Sequence, residues 1–222
     1  EHMTPVIVLT DGYIANGSEP WMFPKEADLP EIKVNFLTEN NNPGGKLLQY
    51  KRDAKLVRPW IKQGTKGLMH SIGGLEKQNE TGNVSYDAEN HEFMVNVRQA
   101  KVDKMADFIP KIGVEIGKEN ADLCVLGWGS TFGAIKSSVK DLIKDGHSVA
   151  HVHLRHMNPF PKNLVELLAK FKKVLIPEMN NGQLSVLIRD QFMIKAESFP
   201  KIQGLPFNTD ELKERILETL KK

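Results

Sequence analysis

The sequence predicts an α/β fold, an open and mostly parallel sheet with helices on both faces. Short apolar runs occupy residues 122–126, 148–154 and 174–177, each run ends in a polar turn, and helical patterning follows each turn. This alternation is typical of βαβ units. Polar residues just beyond the carboxyl ends of parallel strands line the crevice where ligands or partners bind. We therefore expect the functional residues of this chain in those turns.

The elements of this domain follow one another along residues 112–222, a length that suits one domain. After the third strand and its helix, residues 201–204 are predicted to form a short final strand. Thr209 then begins the last helix, whose acidic first turn and basic last turn suit the helix dipole. The three helices between the strands pass through Ile135, Val139, Leu142 and Ile143, then Leu164, Leu167 and Leu168, then Leu184, Leu187, Ile188 and Phe192.

The first 111 residues are organised differently. Residues 5–11 (PVIVLTD) form a continuous apolar run, which predicts a strand buried on both faces. Because such a strand needs neighbours that residues before 120 do not supply, we expect the chain to begin in the middle of a domain, as an excised fragment does. Asp87 is predicted to cap a long connecting helix over 87–111.

Residues 22–86 are predicted to be an irregular wrapping segment, because Pro, Gly and Asn are frequent from residue 17 onward. A stretch of this length without regular structure is either mobile or held by something outside the chain. It contains aromatic residues, which disordered segments lack. A linker packed on its own protein and a partner-binding loop both remain open. Among the aromatic residues of the stretch from residue 17 to residue 86 are Trp21, Phe23, Phe36 and Trp60.

Composition excludes several classes of function. The formal net charge is +2, from 30 basic and 28 acidic residues, so nothing electrostatic calls for nucleic acid or a membrane surface. No apolar stretch approaches the roughly 18 residues of a spanning helix, and the sequence predicts a soluble protein. A single cysteine, Cys124, can build neither a disulfide nor a cysteine-ligated cluster by itself, and we expect it to be buried.

The turn after the first strand of the domain, GWGST at residues 127–131, is a candidate binding site. At a strand-to-helix turn, backbone amides and the helix dipole can hold a phosphate. The turn lacks the spacing of a dinucleotide fingerprint or a P-loop. A structural role is favoured, in which Gly127 and Gly129 make the tight turn and Ser130 or Thr131 caps the helix.

Four more candidate residues follow the other two strands. Arg155 could bind a carboxylate or a coenzyme phosphate through its guanidinium, or pair with Glu178 or Asp11 at a domain interface. Glu178 could act as a general base if it is buried. Asn180 and Asn181 are predicted to form a turn into a helix. We predict cofactor binding or an interface for these residues and catalysis for none.

Three histidines, His151, His153 and His156, raise the question of a metal site. On a strand, residues 151 and 153 lie on the same face. No third ligand is evident, and the turn at residues 158–159 takes the chain away. We therefore predict no metal site, and expect a pair of histidines that are satisfied by hydrogen bonds or lie at the surface.

Five segments together resemble one family. They are residues 10–21 (TDGYIANGSEPW), 82–87 (GNVSYD), 127–131 (GWGST), 158–161 (NPFP) and 177–183 (PEMNNGQ). In this order, over nearly the whole chain, they resemble the carboxyl-terminal part of the alpha subunit of 2-oxoacid:ferredoxin oxidoreductases, closest to the 2-oxoglutarate enzymes. Any one of these segments alone would be a weak signal.

The resemblance implies more than the residues do. Such enzymes, expected in the cytoplasm, decarboxylate a 2-oxo acid on thiamine diphosphate, pass electrons through an iron–sulfur cluster to ferredoxin, and release an acyl-coenzyme A. It implies that residues 1–21 are the tail of a pyrimidine-binding domain and that residues 112–222 resemble the carboxyl-terminal domain of transketolase. In the family, a beta subunit holds the diphosphate, magnesium and cluster.

By that resemblance, this chain is expected to bind none of those groups and to be inactive alone. Its implied partners are the beta subunit, ferredoxin, the 2-oxo acid and coenzyme A. Two alternatives remain open at this point. One is a thiamine enzyme of the transketolase or 2-oxoacid dehydrogenase type, and the other is a non-catalytic nucleotide-binding or interaction module.

Overall fold

The computed structural model describes residues 1–222, with the exception of the Tyr13 side chain. The chain divides into two compact units, Glu1–Lys104 and Met105–Lys222. In the first unit, regular structure is sparse, as predicted. It consists of helix α1 (Gly12–Asn16), a 3₁₀ turn at Glu26–Asp28, helix α2 (Ala88–Lys104) and a few isolated bridges.

The cap predicted for the long helix is confirmed. The backbone N–H of Asn90 donates to Oδ1 of Asp87 at 2.7 Å, which satisfies one of the amides that the first turn of α2 leaves without a helical partner. The α-helix ends at Lys104 and continues as a 3₁₀ turn over Met105–Asp107.

The strand predicted at residues 5–11 is wrong for this chain. The structure assigns no strand there, and the side chains of residues 6–9 are between 79% and 91% exposed. An apolar run forms a strand only when another strand pairs with its backbone, and no strand or isolated bridge among the described residues includes this run.

The second unit contains the predicted sheet. Its five strands are β1 (Val114–Ile116), β2 (Leu123–Trp128), β3 (Val149–Leu154), β4 (Lys173–Glu178) and β5 (Ala196–Pro200), in the spatial order β1-β3-β2-β4-β5. Neighbours among β2 to β5 are parallel, and β1 pairs with β3 in the antiparallel sense. The predicted fold class is confirmed. The helices are α3 (Phe132–Lys144), α4 (Leu164–Leu168), α5 (Gln183–Phe192) and α6 (Thr209–Lys221).

Two apolar cores cover the two faces of this sheet. Leu123 and Val125 of β2 pack with the residues of α3 and α6, whereas Cys124 and Leu126 pack with those of α4 and α5. All four side chains are fully buried. Because both faces of β2 are covered, the strand reads as a continuous apolar run rather than as an alternation.

Both edge strands differ from expectation. Antiparallel β1 was not predicted, and the strand predicted at residues 201–204 is wrong, since the last strand is Ala196–Pro200. The physical reason is the same at both edges. Edge strands are only half covered, so these two carry Glu115, Glu197 and Ser198 among their apolar residues and lack the continuous apolar run of an inner strand. No helix among the described residues has the length and apolar character needed to cross a bilayer.

Candidate functional site

The carboxyl ends of β3, β2 and β4 lie side by side in the sheet, so the three turns that follow them share one edge. A cleft of about 390 Å³ opens at this edge, beside the turns after β2 and β3. Trp128, Phe132 and Met157 contribute its apolar walls, and His153 and Arg155 contribute polar groups. Gly129 and Leu154 also line it.

The turn after β2 is built by its glycines and by Thr131. At Gly127 a Cβ would lie 2.5 Å from Cδ1 of Ile135, so a larger residue there would have to displace that side chain of α3. Gly129 has a left-handed φ of +56°, which a residue with a Cβ rarely adopts. The hydroxyl of Thr131 donates to the carbonyl of Trp128 at 2.7 Å and accepts from the Trp128 amide at 3.2 Å.

The expected side-chain cap of α3 is therefore absent, and the Thr131 hydroxyl bonds within the turn instead. Thr131 is the N-cap residue of α3, but its side chain makes no hydrogen bond to the amides of that helix. Its hydroxyl joins both backbone groups of Trp128 instead, while Ser130 is exposed. Thr131 thus fixes the shape of the turn, and Gly129 and Ser130 lie at its exposed surface.

His151 and His153 do lie on the same face of β3, beneath Phe132. The ring centroids of the two histidines are 5.4 Å apart, and that of Phe132 is 5.4 Å from His151 and 4.8 Å from His153. Both side chains are buried. Among the described residues, the two ring nitrogens of His151 have no hydrogen-bond partner, and Nδ1 of His153 has none either. The expectation of a satisfied or surface pair is wrong for His151, because α3 covers this face of the strand, whereas His153 lines the cleft and forms a hydrogen bond with the backbone of Gly129.

Burial also sets the charge of this pair. Burial and, to a smaller extent, the neighbouring His153 lower the pKa of His151 to about 4. Burial likewise lowers the pKa of His153, and Arg155 adds to the effect. Both imidazoles are therefore neutral at pH 7. No three His, Cys, Asp or Glu side chains among the residues the structure describes are grouped to hold a metal ion.

Arg155 pairs with a residue that the sequence analysis did not consider. Its Nη1 lies 2.9 Å from Oε1 of Glu115, whereas Glu178 and Asp11 were the partners named in one of the two alternatives left open by the sequence. Glu115 belongs to β1, the unpredicted edge strand, which lies next to β3 and so brings the carboxylate to the end of that strand. The Arg155 side chain is 63% exposed.

Glu178 turns inward and caps a helix. It is fully buried, Oε2 accepts from the amide of Leu184 at 2.9 Å and Oε1 accepts from the amide of Ser185 at 3.0 Å. Both carboxylate oxygens thus satisfy amides in the first turn of α5 and suit the positive end of its dipole. With its oxygens held in this way, Glu178 acts as a structural anchor, and the geometry does not support a general base.

The predicted asparagine turn is present after β4. Oδ1 of Asn180 accepts from the amides of Gly182 and Gln183, at 2.8 and 3.1 Å. Gly182 has a left-handed φ of +84°, and a Cβ there would lie 2.6 Å from Oγ of Ser198. Asn181 is exposed.

The structure thus places all the predicted site residues at one edge but brings only some of them to the cleft. Gly129 and Arg155 line it, whereas Gly127, Thr131, Glu178 and Asn180 shape the turns.

Phe132 and Met157 line the cleft and were missed, since nothing in their spacing distinguishes them from core residues. An exposed guanidinium in a cleft that also contains aromatic side chains can bind an anionic or planar group. No nucleophile–base pair appears among the described residues of the cleft.

Comparisons with known proteins bear on the alternatives left open by the sequence. Residues 121–204 match the family model of pyruvate:ferredoxin oxidoreductase core domain II. Over 210 residues, or 94% of its length, the chain is 43% identical to 2-oxoglutarate oxidoreductase subunit KorA of Mycobacterium tuberculosis. The chain belongs to the family of 2-oxoacid:ferredoxin oxidoreductase alpha subunits. The resemblance seen in its five segments is confirmed.

Two further relatives agree. The alpha subunit of 2-oxoacid:ferredoxin oxidoreductase 2 from Aeropyrum pernix is 30% identical over 227 residues, which cover 99% of this chain and 35% of that protein. The solved 2-oxoglutarate:ferredoxin oxidoreductase from Magnetococcus marinus, with 2-oxoglutarate, coenzyme A and succinyl-CoA bound, is 30% identical with a TM-score of 0.77. That match covers 89% of this chain and 34% of the solved one. The chain spans about a third of the length of the curated relatives it matches, 31% for the Mycobacterium tuberculosis protein.

The donor groups of this chain do not fit an iron–sulfur cluster. Such clusters are held by cysteine thiolates, and the only cysteine, Cys124, is fully buried within β2. Burial raises the pKa of its thiol, so it stays protonated. Nor do the described residues group three ligands for a metal ion such as magnesium.

Proposed function

We propose that this chain forms part of the alpha subunit of a thiamine-diphosphate-dependent 2-oxoacid:ferredoxin oxidoreductase that converts 2-oxoglutarate, coenzyme A and oxidised ferredoxin to succinyl-CoA, carbon dioxide and reduced ferredoxin. The observation that carries this proposal is the 43% identity with the 2-oxoglutarate oxidoreductase subunit over 94% of the chain. Thiamine diphosphate, magnesium and the cluster belong to the intact enzyme, and a beta subunit is the expected partner. The chain by itself supplies structure and contacts rather than bond making.

The substrate is tested in the assembled enzyme that contains this chain. We expect coenzyme A-dependent reduction of ferredoxin with 2-oxoglutarate and much slower reduction with pyruvate. Preference for pyruvate would contradict the substrate assignment. The 222-residue chain alone should not oxidise 2-oxoglutarate, and it should bind thiamine diphosphate no more tightly than inorganic pyrophosphate. Calorimetric binding of thiamine diphosphate at least about tenfold tighter than that of pyrophosphate would show that this chain recognises the thiamine part of the cofactor, against the proposal.

Within this function, we assign the edge that carries Arg155 to subunit contact or coenzyme A use. The ion pair with Glu115 is largely exposed, so its loss should cost the fold at most about 1 kcal/mol. At a subunit interface the same side chain would be desolvated, and its removal would cost roughly 2 to 5 kcal/mol of association. Removal of Arg155 should therefore affect mainly fold stability if the residue is structural, and mainly association if it lies at a subunit interface.

In the complete alpha chain, Arg155→Ala should weaken assembly or raise the KM for coenzyme A, while the melting temperature of the 222-residue chain barely changes. Lys172→Ala is the matched control. Nζ of Lys172 lies 2.7 Å from Oδ1 of Asp122 in an exposed ion pair, and these residues precede β4 and β2, at the end of the strands away from the cleft. It should leave assembly unchanged. If Arg155→Ala assembles and turns over normally while the isolated chain melts several degrees lower, Arg155 is a structural residue.

A further inference from the structure

A second cavity, of about 340 Å³, lies within the first unit and carries an unusual concentration of positive charge. Arg52, Arg58, Arg98 and Lys101 all line it, together with the buried ammonium of Lys77. None of these residues belongs to the edge of the sheet described above. The cavity therefore needs an explanation of its own.

Two of the five cations have partners within the protein: Arg98 forms an ion pair, and Lys77 forms hydrogen bonds with backbone carbonyls. Arg98 is paired with Glu76, at 3.1 Å between Nη1 and Oε1, and Glu76 also accepts from His91. These contacts hold the pKa of Glu76 at about 2, so it is ionised. Lys77 donates to the backbone carbonyls of Gly74 and Leu75. Glu76 is the only carboxylate among the described residues that line the cavity.

The other three cations have no carboxylate at ion-pair distance among the described residues, yet each is held in position. Nη1 of Arg52 donates to Oδ1 of Asn79 at 2.7 Å, and Nη2 contacts the sulfur of Met94. The guanidinium of Arg58 stacks on the ring of Tyr50, 5.3 Å from its centroid. Lys101 donates to the carbonyl of residue 3 at 3.1 Å.

These three charges also affect one another. Burial lowers the pKa of Lys101, and Arg58 and Arg52 lower it further, against an opposing contribution from Asp53. Burial lowers the pKa of Arg52 as well, with Arg98 lowering it and Tyr50 and Glu80 raising it. Oδ1 of the neighbouring Asp53 accepts two backbone amides of its own turn, and Asp53 forms no ion pair with the three cations among the described residues. Cations that are partly buried and unpaired are unfavourable unless an anion joins them.

Backbone strain lies at the same cavity. Among the residues that the structure describes, five other than glycine have a left-handed φ, and three of them, Met3, Leu56 and Leu75, line this cavity, with φ of 47°, 61° and 68°. Side chains with a Cβ occupy this conformation at a cost, and such residues cluster at binding sites. The strain therefore points to the same place as the charges.

We propose that this cavity binds a diphosphate-bearing small molecule, through the guanidinium groups of Arg52 and Arg58 and the ammonium of Lys101. Guanidinium forks match phosphate oxygens, and a diphosphate carries enough negative charge to satisfy three cations, which a single carboxylate does not. A concave site of this volume favours a small molecule over a protein surface. The shared chemistry is the diphosphate, which either inorganic pyrophosphate or a nucleoside diphosphate supplies. The inference does not depend on the proposed activity.

The test is calorimetric titration of the 222-residue chain with pyrophosphate at low salt. We expect binding that weakens about ten- to hundredfold in Arg58→Gln and in Lys101→Gln, the loss of one charge-assisted contact each. Arg58→Lys should recover part of the loss. Lys66→Gln is the matched control, since it removes the same charge from an exposed residue of the same unit outside the cavity, and it should bind like the unaltered chain.

Absence of pyrophosphate binding, unchanged affinity in both cavity variants, or an equal loss in Lys66→Gln overturns the proposal. Far-UV circular dichroism checks that each variant folds, and if Lys101→Gln does not, the Arg58→Gln and Arg58→Lys pair decides. Titration with ADP then separates the two sources. If ADP binds at least about tenfold more tightly than pyrophosphate, the ligand is a nucleoside diphosphate. If ADP binds equally or more weakly, the ligand is the free diphosphate. Both results support binding of a diphosphate group.

Discussion

Leu126 in the second unit and Phe23 in the first are both large apolar side chains, yet Leu126 is fully buried and Phe23 is 85% exposed. Leu126 lies in a strand with a neighbour on each side and a helix layer on each face. Phe23 lies in a segment with no strand or helix of its own. Apolar side chains alone therefore do not make a core, because they need regular elements that bring other apolar side chains to them.

The first unit is held together largely by polar side chains that bind backbone. Asn41 exchanges two hydrogen bonds with the backbone of Leu48, and Nε2 of the buried Gln49 donates to the carbonyls of Ser71 and Thr81. Such contacts fix loops without covering apolar surface. Exposed apolar patches mark interaction sites, and we expect this segment to order against the rest of the enzyme.

The largest effect expected from this comparison is in the second unit. Leu126→Ala should lower the free energy of unfolding by about 2 to 5 kcal/mol, because it leaves a cavity among fully buried neighbours. Urea denaturation followed by far-UV circular dichroism measures this, since most of the helix and strand lies in the second unit. A loss below about 1 kcal/mol would mean that the two faces of the sheet are not close-packed.

A smaller effect is expected from the buried histidines. The pKa of His151 is about 4 in the folded chain and about 6.5 when unfolded. As the pH falls from 7 to 5, the unfolded chain binds a proton that the folded chain does not. This stability is complete above pH 6.5 and is lost as the pH falls toward 4, which amounts to about 2 kcal/mol by pH 5.

The control for this pH dependence is an exposed histidine. His151→Leu should flatten the stability profile between pH 7 and pH 5, whereas His147→Leu should keep the original slope, since His147 lies at the surface. The other groups near His151, namely His153, Glu115, Lys136 and Arg155, stay in place in both variants. The pKa of His153 is also lowered by burial, so His153 keeps part of the slope in both variants, and the difference between them reports on His151. Identical slopes in the two variants would show that His151 is solvated.

The smallest effect belongs to the first unit. Phe23→Ala should change the free energy of unfolding of the 222-residue chain by no more than about 0.5 kcal/mol, because the side chain already lies in water. The same urea experiment measures it beside Leu126→Ala. A loss as large as that of Leu126→Ala would show that Phe23 is buried in solution.

The same contrast explains which features the sequence could reveal. The inner strands were predictable because burial on both faces demands an unbroken apolar run, as in residues 123–126. β1 and β5 were not, because a half-covered strand needs no such run. At the site, the glycines of the turn at 127–131 were found from local geometry. The inward direction of Glu178 and the pairing of Arg155 with Glu115 depend on which elements become neighbours in space, and no local pattern records that.

Hydrogen exchange on the 222-residue chain tests the contrast between the units most directly. Amides exchange when local structure opens, and the cost of opening is highest in buried strands. We predict fast exchange across residues 23–86 and slow exchange in the strands near Val125 and Leu175, which are fully buried. Equal protection in both regions would contradict the account, because it would show that the irregular segment is as stably folded as the sheet.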